Sequence, residues 1–225
     1  MVDVRKADEG SRANALAELC EVYWYPVYGF VRRSGKESEE AKDLTQGFFA
    51  DLLRRDGFAK ADPNVGKMRT FLLTTLRRYM ANSHSAENAQ KRGGGCEVLS
   101  IDNEEAEGRY AIDPSTDLTP DQMFDRSWAR ALFEKAFDRL REQHEASGKL
   151  KTFETLKPFL AKGESGDTYA EAAKELDQTE SAIGVMVFRL RKRFRSSLEN
   201  EIRNTLGSED EFDDELQHLF SVFEG

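Results

Sequence analysis

Apolar residues recur every three or four positions through most of the chain, and this spacing predicts helices. The clearest case is the segment 168–195, which holds two such stripes in succession. The stripes consist of Tyr169, Ala172, Ala173 and Leu176, followed by Ile183, Val187, Leu190 and Phe194. Between them lie Asp177 and Gln178, which leave room only for a tight corner. Two short helices joined in this way predict a helix-turn-helix.

The ends of these two helices carry their own signals. Thr168 and Glu171 have the spacing of a capping box, and Thr179 is a good N-cap for the second helix. Asp177 occupies the turn position that glycine usually fills, and it tolerates the left-handed conformation. Gly184 lies inside the second helix, where it costs about 1 kcal/mol relative to alanine.

The far end of the second helix is strongly basic, with Arg189, Arg191, Lys192, Arg193 and Arg195. Cations on a recognition helix are what contact with DNA phosphates requires. The start of the helix, residues 180–185, offers few side chains that could read base edges. Two amphipathic helices with a cationic outer face also occur in bundles that bind no nucleic acid, and the spacing alone leaves that alternative open.

The first half of the chain predicts three helices. Residues 14–33 form one, interrupted or bent near Pro26 and closed by Gly35, and a second begins at Ser38 and ends at Gly57. The third starts at Lys67 and runs to about residue 92. It interleaves six cations with Phe71 and Tyr79, which fits a surface for single-stranded DNA. An ordinary solvated face with core aromatics explains the same composition equally well.

The remaining segments differ in composition. Gly93 to about Pro120 is acidic and glycine-led, which predicts a flexible linker without stable structure. A second helical body follows from Asp121, including a short helix that Pro158 disturbs. The final stretch, 207–225, is an acidic amphipathic helix. Its apolar face is predicted to consist of Phe212, Leu216, Leu219, Phe220 and Phe223.

Composition and charge agree with an all-α protein. Charged residues make up 33% of the 225 residues, and the net charge is −9. That charge is unevenly distributed, because residues 1–96 and 126–206 are each net +3, whereas 97–125 is −8 and 207–225 is −7. Two mildly basic bodies are thus joined and followed by acidic segments. We expect domains at 1–95 and 121–206, the linker at 96–120 and the tail at 207–225.

The sequence has none of the usual motifs of a catalytic or metal-binding site. Two cysteines and three scattered histidines have no metal-ligand spacing, and no nucleophile–base pair or phosphate loop occurs. We therefore expect no enzyme activity, no cofactor and no metal. Without a membrane-length apolar run or a signal peptide, we expect a soluble protein of the reducing cytoplasm.

Three segments in order resemble the extracytoplasmic-function (ECF) type of bacterial RNA polymerase sigma factor. AKDLTQGFFADLLRR resembles the region 2 helix of that family, and FLLTTLRRYMAN resembles the helix after it. YAEAAKELDQTESAIGVMVFRLRKRFR resembles the region 4 pattern. The run KRGGG and the C-terminal extension resemble a subgroup associated with planctomycete-type bacteria. Gly184 and Met186 depart from the family pattern, which has Lys and Arg at those two positions.

The resemblance implies a non-enzymatic subunit that directs promoter recognition and transcription initiation. The residues that it assigns to contact with core RNA polymerase are Asp43, Gln46 and Phe49. Those that it assigns to the minus-ten DNA strand are Arg69, Arg77, Arg78, Tyr79 and Asn82. Those that it assigns to the minus-thirty-five duplex are Ser181, Ala182, Val185, Arg189 and Lys192.

Two other functions fit the same residues. One is a stand-alone helix-turn-helix transcriptional regulator, and the other is a degenerate sigma-like adaptor that binds polymerase without DNA. Gly184 and Met186 keep the adaptor in consideration. For the sigma factor, the expected partners are core RNA polymerase and promoter DNA, with an anti-sigma factor or a regulatory kinase left open.

Overall fold

The computed structural model describes residues 9–54, 67–87, 107–108, 110, 117–160, 168–206 and 208–223. These residues form eight α-helices and no β-strand, which confirms the all-α class. The helices are α1 Glu9–Arg33, α2 Ser38–Arg54, α3 Met68–Glu87, α4 Pro120–Ala146, α5 Leu150–Leu156, α6 Tyr169–Leu176, α7 Glu180–Asn204 and α8 Phe212–Ser221. Short 3-10 helices occupy Lys157–Leu160 and Glu209–Glu211.

The chain divides into two compact units. The first comprises residues 1–131 and 202–225, and the second comprises residues 132–201. The first turns of α4 and all of α8 therefore belong with α1 to α3, although the sequence pattern had grouped 121–206 together. The three glycines at 93–95, which begin the predicted linker, lie outside the described residues.

Aromatic side chains fill the core of the first unit. Trp24 stacks on Tyr28 with ring centroids 5.3 Å apart, and Phe48 meets Phe49 edge to face at 5.3 Å. Helix α1 continues through Pro26 as one helix, whereas the sequence had suggested an interruption or bend there. It ends at Arg33, and Gly35 just beyond it has a positive φ of 88°, the conformation expected of a glycine that follows a helix.

A close approach between α1 and α4 depends on Gly29. A Cβ atom at this position would lie 3.1 Å from the Cε atom of Met123, tighter than most real contacts. The absence of a side chain therefore allows the two helices to pack at short distance within the first unit.

Glu107 lies in the segment that the sequence predicted to be unstructured, but it is held against α1. Its carboxylate accepts two hydrogen bonds from Arg32, at 3.2 Å from Nε and 2.7 Å from Nη2, and another from the hydroxyl of Tyr28. Burial alone raises the pKa of the Glu107 carboxyl, and these donors outweigh that effect and hold the pKa below its ordinary value. A bidentate ion pair thus gives this acidic segment a fixed attachment.

A hydrophobic core holds the second unit together. It is formed by Leu140, Phe153, Leu156, Phe159, Ala172, Ala173, Ile183, Val187 and Leu190. Pro158 lies where α5 gives way to the 3-10 helix, which confirms the predicted disturbance. The core holds α6 and α7 against α4 and α5 and leaves one side of α7 exposed.

Candidate nucleic-acid interface

The helix-turn-helix of the second unit begins with the predicted capping box. The Glu171 backbone N–H donates to the Thr168 hydroxyl at 3.3 Å, and the Thr168 backbone N–H donates to the Glu171 carboxylate at 2.8 Å. The Thr168 N–H and hydroxyl both donate to the Glu171 carboxylate, and together they hold the pKa of this carboxyl below its ordinary value. The predicted N-cap of α7 is also confirmed, because Thr179 Oγ1 accepts from the Ala182 N–H at 3.2 Å.

Asp177 makes the corner between α6 and α7. Its φ and ψ are both 51°, the left-handed conformation, and its N–H reaches the carbonyls of Ala173 and Lys174. Gln178 donates its own N–H to the Ala173 carbonyl at 2.9 Å. These bonds satisfy the last carbonyls of α6 and turn the chain directly into α7.

Helix α7 has two distinct faces. Ile183, Val187 and Leu190 are buried in the core. Of the residues expected to lie against the minus-thirty-five duplex, Ser181, Val185, Arg189 and Lys192 are exposed, and Ala182 is half-buried. The helix-turn-helix thus brings these five residues to the side of α7 that the core leaves open.

Two of the five cations in the basic run 189–195 of α7 have partners within the unit. Arg191 donates from Nε and Nη2 to the Phe159 carbonyl at 2.9 and 2.7 Å, and Arg195 pairs with Glu199 at 2.9 Å. Arg191 therefore caps the 3-10 helix.

The other three cations of the basic run are Arg189, Lys192 and Arg193. All three are exposed, and they form no ion pair within the described ranges. Arg189 and Arg193 also line a cavity of about 220 Å³, together with Lys149. This side of the unit therefore presents uncompensated positive charge.

Phe188 is the residue that the sequence reasoning missed. Its side chain is 69% exposed, and Val185, one turn earlier, is 47% exposed. A helical wheel would have found it, because position 188 falls opposite the buried stripe of Ile183, Val187 and Leu190. The outer face of α7 is thus both apolar and cationic.

Two of the candidate minus-ten residues on α3 are engaged in ion pairs. Arg77 pairs with Asp121. Arg69 contacts Asp125 at 3.2 Å and Glu215 at 3.0 Å, and its guanidinium carbon lies 5.5 Å from the centre of the Trp128 ring.

The other three candidates on α3 differ in exposure. Arg78 and Asn82 are exposed and lie one turn apart. Tyr79 is half-buried and packs edge to face on Phe48, with 5.8 Å between ring centroids. Its hydroxyl lies 2.3 Å from where a Cβ of Gly47 would be, so the glycine is what admits the ring. Only Arg78 and Asn82 offer freely accessible polar groups.

The candidate polymerase contacts on α2 are of two kinds. Asp43 is exposed and Gln46 is half-buried. Phe49 is 0% exposed and packs in the core against Phe48. It presents no surface to a partner, because an apolar side chain on this face of the amphipathic helix contributes more by burial. Of the three candidates, only Asp43 and Gln46 have side chains that reach the surface.

Helix α8 is rotated relative to the face predicted from its apolar residues. Phe212 and Leu219 are buried as expected, but Phe220 and Phe223 are 48% and 50% exposed. Glu215 takes a buried position instead and is only 1% exposed. An ionic partner explains why a carboxylate displaces phenylalanine from the interior of the first unit.

That partner is the start of α3. Arg69 donates from Nε and Nη2 to the two oxygens of Glu215 at 3.0 and 3.1 Å, and Lys67 Nζ lies 3.0 Å from Oε2. Burial by itself raises the pKa of the Glu215 carboxyl, and the hydrogen bonds and charges of Arg69 and Lys67 outweigh it. The pKa therefore lies below its ordinary value. The acidic tail thus occupies two cations of the candidate single-strand surface.

Other kinds of site are not found in the described part of the chain. None of its helices has a stretch that is long and apolar enough to cross a bilayer. No group of three or more His, Cys, Asp or Glu side chains there is arranged to hold a metal ion. Burial, and to a lesser degree the charge of Glu21, raises the pKa of the Cys20 thiol to about 11, so this thiol is not reactive.

Comparison of the chain with protein-family models, with curated proteins and with solved structures found no match.

Proposed function

We propose that this chain is a sigma-type subunit of bacterial RNA polymerase that selects promoters in the cytoplasm and has no enzymatic activity of its own. Core RNA polymerase and promoter DNA are its partners under this proposal. The second unit contacts the minus-thirty-five duplex, and the exposed part of α3 contacts the minus-ten strand. Asp43 and Gln46 on α2 contribute the contact with polymerase.

The observation that carries the proposal is the outer face of α7. A helix set by a capped, tight turn against α6 exposes Arg189, Lys192 and Arg193 without acidic partners in the described residues. An α-helix fits the major groove of DNA, and cations on it release counterions from the phosphates. The order of the three sigma-like segments in the sequence supports the polymerase role.

The same face also supports a stand-alone regulator, which would bind duplex DNA without polymerase. Gly184 and Met186 favour the adaptor, because they remove two cations that the family pattern has. Binding to duplex DNA separates the adaptor from the other two functions, and binding to core polymerase separates the regulator from the sigma factor.

The salt dependence of DNA binding tests the face directly. Three uncompensated cations predict that the logarithm of the DNA-binding constant falls with the logarithm of the salt concentration at a slope of about −3. Fluorescence anisotropy of a labelled duplex titrated with the full chain measures this slope. The double substitution Arg189→Ala and Lys192→Ala should flatten the slope by about 2 units.

A matched control removes two cations elsewhere in the same unit. Arg141 and Lys157 both pair with Glu154, so changing both to alanine alters the net charge equally but not this face. We expect the control to keep the wild-type slope. If the two double substitutions flatten the salt slope equally, the cations of α7 have no special role in DNA binding.

A further inference from the structure

We propose that Phe188 and Val185 read thymine in the major groove through its C5 methyl group. This inference rests on the proposed function, because it assigns base specificity to the same face of α7. Neither the sequence resemblance nor the basic run assigned a role to Phe188.

Nothing among the described residues of its own unit explains the exposure of Phe188. At 69% exposed, its ring is the most exposed of the large apolar side chains in the described residues, and it lies on the side opposite the core. Leaving such a ring in water forgoes the free energy that burial would provide. The ring is therefore available to an outside surface.

The surroundings of the ring indicate which surface that is. Arg189 follows it directly, and Lys192 lies one turn further along the same exposed side. Neither has an acidic partner among the residues that the structure describes. The unpaired cations match a partner with many negative charges. The apolar ring between them matches an apolar group that lies among those charges. Duplex DNA has this combination, because phosphates border a groove that displays thymine methyl groups.

The groups that DNA base pairs display in the major groove indicate thymine as the base that is recognised. Among the exposed residues in the first turns of α7, Glu180 and Ser181 have polar groups that could bond a base edge, whereas Val185 and Phe188 have no polar side-chain atoms. Apolar side chains discriminate bases only by contact with the thymine methyl. Positions 185 and 188 are about 4.5 Å apart along the helix axis, close to the rise of about 3.4 Å between base pairs. The two side chains can therefore reach neighbouring base pairs.

The test uses the full chain and a duplex selected by it from a random pool. Each thymine of the selected duplex is replaced in turn by uracil, which removes only the methyl group. We expect affinity to fall by about 4-fold at one or two positions, the effect of one buried methyl. Phe188→Ala should abolish the dependence on the methyl that its ring contacts and keep any dependence at the Val185 position, while the salt slope stays unchanged.

Phe220→Ala is the matched control, because it removes an exposed phenylalanine from the other unit and should preserve the uracil effect. If the chain binds DNA with the expected salt slope but every uracil duplex binds like its thymine parent, the inference is overturned and the proposed function stands. If Phe188→Ala weakens binding to core polymerase and leaves DNA affinity intact, the ring is a protein contact and the inference is also overturned. Failure to bind any duplex would instead overturn the proposed function.

Discussion

Gly184 and Gly47 both lie inside helices, but they differ in what a methyl group would touch. A Cβ at 184 would lie 3.7 Å from the Tyr169 ring, an ordinary contact. A Cβ at 47 would lie 2.3 Å from the Tyr79 hydroxyl, which forces that ring to move. Gly47 thus has a packing role, and no steric requirement holds a glycine at 184.

We expect the two alanine substitutions to change stability in opposite directions. Gly184→Ala should raise the free energy of unfolding by about 0.5–1 kcal/mol, because it gains helix propensity without strain. Gly47→Ala should lower it by about 1 kcal/mol, because overpacking outweighs the same gain. Urea unfolding followed by circular dichroism measures both.

Tyr79→Phe supplies the control for this comparison. Without the hydroxyl, the nearest ring atom would lie 3.5 Å from the new Cβ, which is an ordinary contact. Gly47→Ala should therefore cost little or nothing in the Tyr79→Phe background. An equal cost in both backgrounds would show that the hydroxyl is not the obstacle.

The sequence predicted best the residues whose hydrogen-bond partners lie within one helical turn. The capping box of Thr168 and Glu171, the cap at Thr179 and the left-handed Asp177 all depend on neighbours within about four positions, so their geometry follows from local rules. Phe188 was also within reach of a helical wheel. The burial of Phe49 was predictable from its place beside the apolar face of α2.

At the scale of elements, the buried face of α8 is a feature that the local hydrophobic pattern did not predict. The apolar residues of the tail predicted a face that includes Phe220, but the helix buries Glu215 in its place. The cause is Arg69, which lies 146 positions earlier in the chain. An ion pair across that distance has no signature in the hydrophobic pattern, since it depends on which helices meet.

The ion pair of Glu215 predicts a dependence of stability on pH. Its folded pKa lies below the ordinary value of about 4.3, so its stabilising effect is complete above about pH 5 and is lost as the pH falls through the folded pKa. Glu215→Gln should lower the free energy of unfolding by about 3 kcal/mol at neutral pH, because it removes the buried carboxylate that Lys67 and Arg69 share and leaves Arg69 with Asp125 alone. The difference in free energy of unfolding between this variant and the wild type should narrow as the pH falls below about 4.

Urea unfolding at a series of pH values measures that gap. Asp214→Asn is the control, because Asp214 is exposed and adjacent in sequence, and it should show little change at any pH. A gap for Glu215→Gln that stays constant down to about pH 3 would contradict an ionic role for this carboxylate.

At the scale of the whole molecule, the sequence predicted the helical class and the alternation of basic and acidic segments. It did not predict that residues 120–131 and 202–223 would belong to the first unit. Domain membership depends on contacts between distant segments, and helix periodicity carries no information about them. The pairing of the acidic tail with Lys67 and Arg69 agrees with the uneven charge distribution of the sequence.

Run-off transcription with purified core polymerase tests the central claim, that this chain directs promoter recognition, most directly. We expect core polymerase to produce discrete transcripts from genomic fragments only when the chain is present. Asp43→Lys should reduce them without loss of helicity, because Asp43 is exposed, and Glu145→Lys, an exposed acid of the second unit, should not. Core polymerase that gives the same transcripts with and without the chain would contradict the claim.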